Sequence, residues 1–197
     1  MPRTEAANQQ VRGERRRHIL DISVLVFARQ GLAATKIADI AAAGEMSQGL
    51  IYRYFTSKEE IYAAVLERAM QSALRMGQEA LEREGSPLEK LRWLLQYMIG
   101  GEWDRTEYAL VVNDMLLNQA MPQEIRAPAL EQALAFQQII YRLIAEAQAA
   151  GQVSSHNDPK MLTMLVGACI QGLPTQKIYL PDAPAPDPEI ILRLLKA

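Results

Sequence analysis

Apolar positions recur every three or four residues along most of this chain, the period of a helix with one buried face. Leu20, Val24 and Phe27 fall at i, i+4 and i+7 and predict a first helix over 14–30, ended by Gly31. Short helices are expected at 36–43 and 47–54, and a longer one after Ser57, where Ser57 and Glu60 have capping-box spacing. Ser86-Pro87-Leu88-Glu89 combines a capping serine, a first-turn proline and a reciprocal glutamate, opening a helix that runs to Gly100-Gly101. Another is expected over 104–118. After Pro122, Ala133, Phe136, Ile140, Leu143 and Ala147 hold one face of a long helix closed by Gly151. Asp158-Pro159 opens the next, with Leu162, Leu165, Val166, Cys169 and Leu173 on one stripe. The proline-rich run 181–188 cannot be helical, and Asp187-Pro188 starts a last short helix with Ile191, Leu194 and Leu195. No alternating strand pattern of useful length and no repeat appears, so the expected fold class is all-α.

The chain has 197 residues, 49% of them apolar, enough for a sizeable core. Its net charge of −2 excludes a globally basic nucleic-acid coat but not a local patch. Residues 1–60 carry nine basic and seven acidic side chains, and the remainder twelve and sixteen, which suggests a nucleic-acid-facing head on a body that is not. The first seventeen residues are polar and no apolar run nears the ~18 needed to span a bilayer, so a soluble, cytoplasmic protein without membrane contact is expected. A single cysteine fits a reducing compartment. His18 and His156 lie far apart, neither with a partner at catalytic or metal spacing, so neither a metal site nor a cofactor is expected. Nucleophile–base spacings and glycine-rich phosphate loops are also missing, which argues against an enzyme.

Residues 35–54 carry the functional signal. Thr35 can cap a short helix whose inner face is Ile37, Ile40 and Ala41, and a tight break follows at Gly44. Ser47 can cap a second short helix containing Gln48, Gly49, Leu50, Ile51, Tyr52, Arg53 and Tyr54. Two short helices joined by a glycine-containing turn make a helix-turn-helix. Ser47 and Gln48 stand where side chains reach base edges or phosphates, and Gly49 allows close backbone approach. Tyr52, Arg53, Tyr54 and Lys58 offer phosphate hydrogen bonds and charge, while Ile51 and Phe55 face inward. An αα-hairpin in a plain bundle is the competing reading of the same composition.

The run Thr35-x4-Ile40-Ala41, Ser47-Gln-Gly49-x-Ile51-Tyr52-x-Tyr54-Phe55 and Ser57-Lys58-Glu59-Glu60 resembles the DNA-binding signature of the tetracycline-repressor (TetR) family of bacterial regulators, over about 45 residues. The resemblance implies an N-terminal three-helix helix-turn-helix DNA-binding domain on a C-terminal helical ligand-binding and dimerisation bundle. Residues 1–13 would be a flexible arm, 14–57 the DNA-binding domain and 58–197 the body. It implies that Thr35 and Lys36 meet phosphate, that Ser47, Gln48 and Gly49 lie against the groove, that Tyr52, Arg53 and Tyr54 clamp the backbone, and that Lys58 adds a phosphate contact. One departure stands out. Where the family has Ala-Gly-small apolar before the recognition serine, this chain has Gly44-Glu45-Met46, so the turn glycine is displaced by one and an acid sits near the DNA.

Beyond residue 70 the resemblance fades and only architecture is implied. The partners would be double-stranded DNA with a palindromic operator, a small-molecule effector of unknown identity, and a second copy of the chain. Pocket candidates are the large, adaptable residues Trp93, Tyr97, Trp103, Tyr108, Met115, Phe136 and Tyr141, each of which ordinary core packing also explains. For dimerisation the candidates are Leu162, Leu165, Val166, Cys169, Leu173, Ile191, Leu194 and Leu195, with intrachain packing the alternative. The function expected is a repressor released from its operator by a small amphipathic or aromatic ligand. The alternative is an architectural or protein-recruiting DNA-binding factor without an effector.

Overall fold

The computed structural model describes residues 5–99, 106–180, 182 and 187–196. Those residues form nine helices and no strand. In order they are α1 (Glu5–Ala34), α2 (Ile37–Ala43), α3 (Gln48–Tyr52), α4 (Lys58–Glu82), α5 (Pro87–Ile99), α6 (Thr106–Leu117), α7 (Gln123–Ala149), α8 (Pro159–Tyr179) and α9 (Pro188–Lys196). Caps expected from sequence form. Ser47 accepts from the Leu50 N–H at 3.2 Å, Ser57 from the Glu60 N–H at 3.2 Å, and Asp158 from the Lys160 N–H at 2.8 Å. The Glu89 carboxylate accepts from the Ser86 N–H at 2.7 Å, completing the box that starts α5.

One boundary differs from expectation. The arm expected at 1–13 is helical from Glu5 onward. The helical path of α1 does break at Gly31, whose φ of 69° and ψ of 172° only glycine adopts without strain. The head and the start of the body share one core. Ile19, Leu20 and Phe27 of α1, Ile40 of α2, Ile51 of α3 and Ile61 to Leu66 of α4 pack with Val111 and Met115 of α6 and Ile125 and Ala129 of α7. A second core joins the later half of α4 to α5, α7, α8 and α9, through Leu91, Leu94, Ile140, Leu143, Val166 and Leu195 among others. Helices α4 and α7 run through both cores and tie them together.

A buried polar knot fixes α6 on α4. Tyr62 is fully buried and packs edge-on against Phe27, with ring centroids 4.9 Å apart. Its hydroxyl donates to the Asp114 carboxylate at 2.7 Å and lies 3.1 Å from the Val111 carbonyl. Burial, and then the adjacent Asp114 carboxylate, push the phenol well above its ordinary pKa, so it stays a neutral donor.

Candidate nucleic-acid interface and cavity

The short helix α3 is held from beneath. Ile51 and Phe55 are fully buried, while Ser47, Gln48, Gly49, Tyr52 and Arg53 are exposed on the outer side. Tyr52 keeps 54% of its surface open. Tyr54 is half-buried against the head core, with the Arg12 guanidinium 5.9 Å above its ring. Lys36 is exposed at the start of α2, where its N–H donates to Asp39 at 2.8 Å. The turn before α3 places Glu45 at φ 49°, the left-handed region. Its neighbour Gly44 adopts φ −98°, so the conformation that favours glycine falls on the glutamate.

Two residues expected on the DNA face do other work. Thr35 is completely buried, and its hydroxyl donates to the Gly31 carbonyl at 2.7 Å, so it neither meets phosphate nor caps α2. Gly31 breaks the helical path there, and the Thr35 hydroxyl satisfies its carbonyl. The Lys58 ammonium donates to three carbonyls, of Leu32 at 2.9 Å, Ala33 at 3.0 Å and Thr35 at 2.9 Å. All three of its N–H donors are thereby used inside the protein, and none remains for a phosphate. Lys58 instead fastens the start of α4 to the end of α1. Next to it, the Thr56 N–H and then the Thr56 hydroxyl hold the Glu60 carboxyl below its ordinary pKa.

A cavity of about 720 Å³ opens where the two cores meet, between α1, α4, α6, α7 and α8. Its apolar wall includes Val24, Met70, Ala73, Val112, Phe136 and Ile140. Its polar groups are the Arg68–Asp21 ion pair at 2.6 Å, Ser72, Arg75, Glu107, Asn113, Gln137 and Gln171. Such a surface, mostly apolar with scattered polar points, suits a small amphipathic guest. Of the expected pocket residues, Tyr108 and Phe136 line it. Met115 is sealed in the head core and does not. Trp93 and Tyr97 stack on each other 6.0 Å apart away from it, with Arg83 over Trp93 at 4.4 Å, and Tyr141 is likewise not part of its wall. Trp103 lies outside the described residues. The residues missed, Arg68, Asn113, Gln137 and Gln171, are polar ones that no aromatic-based search would select.

The apolar stripes near the C-terminus divide differently from expectation. Leu162, Val166, Ile191 and Leu195 are buried in the chain's own core, and Cys169 and Leu173 pack partly against it. Burial raises the Cys169 thiol above its ordinary pKa. The outward faces instead show Met161, Met164 (70% exposed) and Leu165 on α8, and Ile190 and Leu194 on α9. Among the candidates, Leu165 and Leu194 alone present mainly to the outside. The Arg92–Glu189 ion pair, 2.9 Å, pins α9 to α5 and fixes that outer face. His18 and His156 are exposed, and no group of three His, Cys, Asp or Glu side chains among the described residues could hold a metal. No helix among the described residues is long and apolar enough to cross a membrane.

Comparison with known proteins gives a consistent picture. Residues 19–65 match the family described as bacterial regulatory proteins, tetR family, and residues 84–175 match the tetracyclin repressor-like C-terminal domain. The HTH-type transcriptional repressor KstR of Mycolicibacterium smegmatis is 29% identical over 84% of this chain and 68% of that protein. The HTH-type transcriptional regulator AcrR of Shigella flexneri is 32% identical over 44% of this chain, a match that spans only 40% of AcrR. Among solved structures, AibR in complex with isovaleryl coenzyme A and operator DNA superposes with a TM-score of 0.72 at 19% identity, covering 92% of this chain and 98% of that one.

Proposed function

The chain belongs to the tetR family of bacterial regulatory proteins, and we propose that it is a DNA-binding transcriptional repressor, not an enzyme, that a small amphipathic or aromatic effector releases from its operator. The observation that carries this reading is the pairing of an outward-facing recognition helix with an apolar cavity one helix away. Ser47, Gln48 and Gly49 would lie against base edges, and Tyr52 and Arg53 would hold the phosphate backbone, with Lys36 beside them. Two protomers, joined through the exposed faces of α8 and α9, would present two such helices to successive major grooves ~34–36 Å apart.

The cavity sits where an occupant can act on the head. Helix α6 lines it with Tyr108, Val112 and Asn113, while its opposite side carries Val111 and Asp114 against Tyr62 of α4. A guest that displaces α6 would move α4, and with it the start of the head. The effect needs only a guest that fits one arrangement better than the other. A cavity of this size favours an effector over the architectural reading, in which nothing would fill it.

The direct test is a mobility shift on the DNA upstream of the coding region. Tyr52→Ala with Arg53→Ala is expected to weaken binding at least about tenfold, with the helical circular-dichroism spectrum and thermal midpoint unchanged. Undiminished binding by that double variant would overturn the assignment of the recognition helix.

A further inference from the structure

The N-terminal half of α1 has no part in the reading above, yet it is the most basic segment of the chain. Residues 12–17 read Arg-Gly-Glu-Arg-Arg-Arg, and all four arginines are exposed. None of them forms an ion pair with any carboxylate among the described residues. Glu14, the acid within the run, already accepts from the Gln10 side chain at 3.1 Å.

Their placement is specific. Arg12, Arg15 and Arg16 stand at i, i+3 and i+4 and share one face of the helix, whereas Arg17 points away from it. That face borders both ends of the recognition helix. Arg12 lies over the Tyr54 ring at 5.9 Å, and Arg16 over the Phe55 ring at 4.9 Å, just past its C-terminus. Arg15 and His18 form a small cleft with Gly44, Glu45, Met46, Ser47 and Leu50, at its N-terminus. The rings orient two guanidiniums without neutralising them, because a cation over an aromatic face keeps its charge and its in-plane N–H donors.

We propose that the Arg12–Arg15–Arg16 face of α1 is a second DNA-contacting edge, gripping backbone phosphates alongside the groove that α3 enters. A planar guanidinium suits a phosphate because it donates two parallel hydrogen bonds. The contacts carry no sequence information; they add affinity and set the angle at which α3 meets the duplex. The inference rests on the DNA-binding reading above, and its test separates the two.

The test measures how the affinity for upstream duplex DNA falls with salt. Each phosphate contact contributes about 0.9 to the slope of log K against log salt. Replacing the three arginines by glutamine in both protomers is therefore expected to make the slope shallower by about five. Lysine at the same three positions should restore most of it. Arg17→Gln, on the opposite side of α1, should leave it unchanged. Should the triple variant fold poorly through loss of the ring contacts, Arg15→Gln alone, which stacks on no ring among the described residues, is expected to lower the slope by about two. An unchanged slope in a folded variant overturns the second edge, as does an equal drop with Arg17→Gln, which would reveal a net-charge effect. Wild-type chain that binds neither this duplex nor sheared genomic DNA overturns the DNA-binding reading itself.

Discussion

At the scale of single residues, the turn before the recognition helix holds the clearest conflict between side chain and backbone. Glu45 occupies a left-handed conformation (φ 49°) that costs a non-glycine residue on the order of 1 kcal/mol. Glu45→Gly should remove that cost, less the extra freedom glycine gives the unfolded chain, for a net gain of about 0.5 kcal/mol. A thermal midpoint higher by roughly 1–2 °C is expected in calorimetry. Glu45→Ala removes the same charge without relieving the backbone and should show no gain. Lys58 provides the companion case. Lys58→Met deletes three hydrogen bonds to the end of α1 and should destabilise by about 1–3 kcal/mol. The salt slope of DNA binding should stay the same, because no phosphate contact is lost; a shallower slope would restore Lys58 to the DNA face. The displaced glycine was readable from the order Gly44-Glu45-Met46. The roles of Thr35 and Lys58 were not: the Thr35 hydroxyl turns to the Gly31 carbonyl at the kink of α1, and Lys58 reaches carbonyls 23 to 26 residues away along the chain.

Helix by helix, local signals succeeded where they are local. Ser47, Ser57, Ser86 and Asp158 start helices because a side-chain oxygen within one turn can satisfy an amide that has no partner in the helix. Periodicity failed on α8 because that helix is apolar on more than one side: Leu162 and Val166 form one stripe, and Met161, Met164 and Leu165 form another. A stripe pattern alone cannot say which one faces the chain's own core. The structure separates them, and a pair of substitutions checks the separation. Met164→Glu with Leu194→Glu should leave the fold intact and shift the species seen in sedimentation to a monomer, since the charges enter only the outward face. Val166→Glu, at a position with no exposed surface, should instead unfold the chain, costing several kcal/mol for a buried unpaired carboxylate. A double variant that stays dimeric would move the interface off α8 and α9.

Across the whole molecule, the cavity lies where α4 and α7 pass from one core to the other, and no stretch of sequence marks that crossing. Its position nonetheless decides how an occupant reaches the DNA. Arg68 joins three helices at its rim: it pairs with Asp21 of α1 at 2.6 Å, stands on α4, and lies 5.9 Å from the Tyr108 ring of α6. Behind α6, Tyr62 and Asp114 connect the same helix to the head core. If this is the route of coupling, bulk inside the cavity should imitate an effector. Ala109→Trp places an indole on the cavity side of α6, and is expected to lower operator affinity about 5- to 150-fold, the range of ordinary coupling energies. Tyr62→Phe keeps the buried ring and its edge contact with Phe27 but cuts the link to Asp114. On its own it should bind operator much as the wild type does, at a stability cost of about 1–3 kcal/mol. Combined with Ala109→Trp it should return part of the lost affinity, because a displaced α6 then pulls less on α4. Strict additivity of the two changes in a double-mutant cycle of operator binding would show that α6 and the head communicate by some other path.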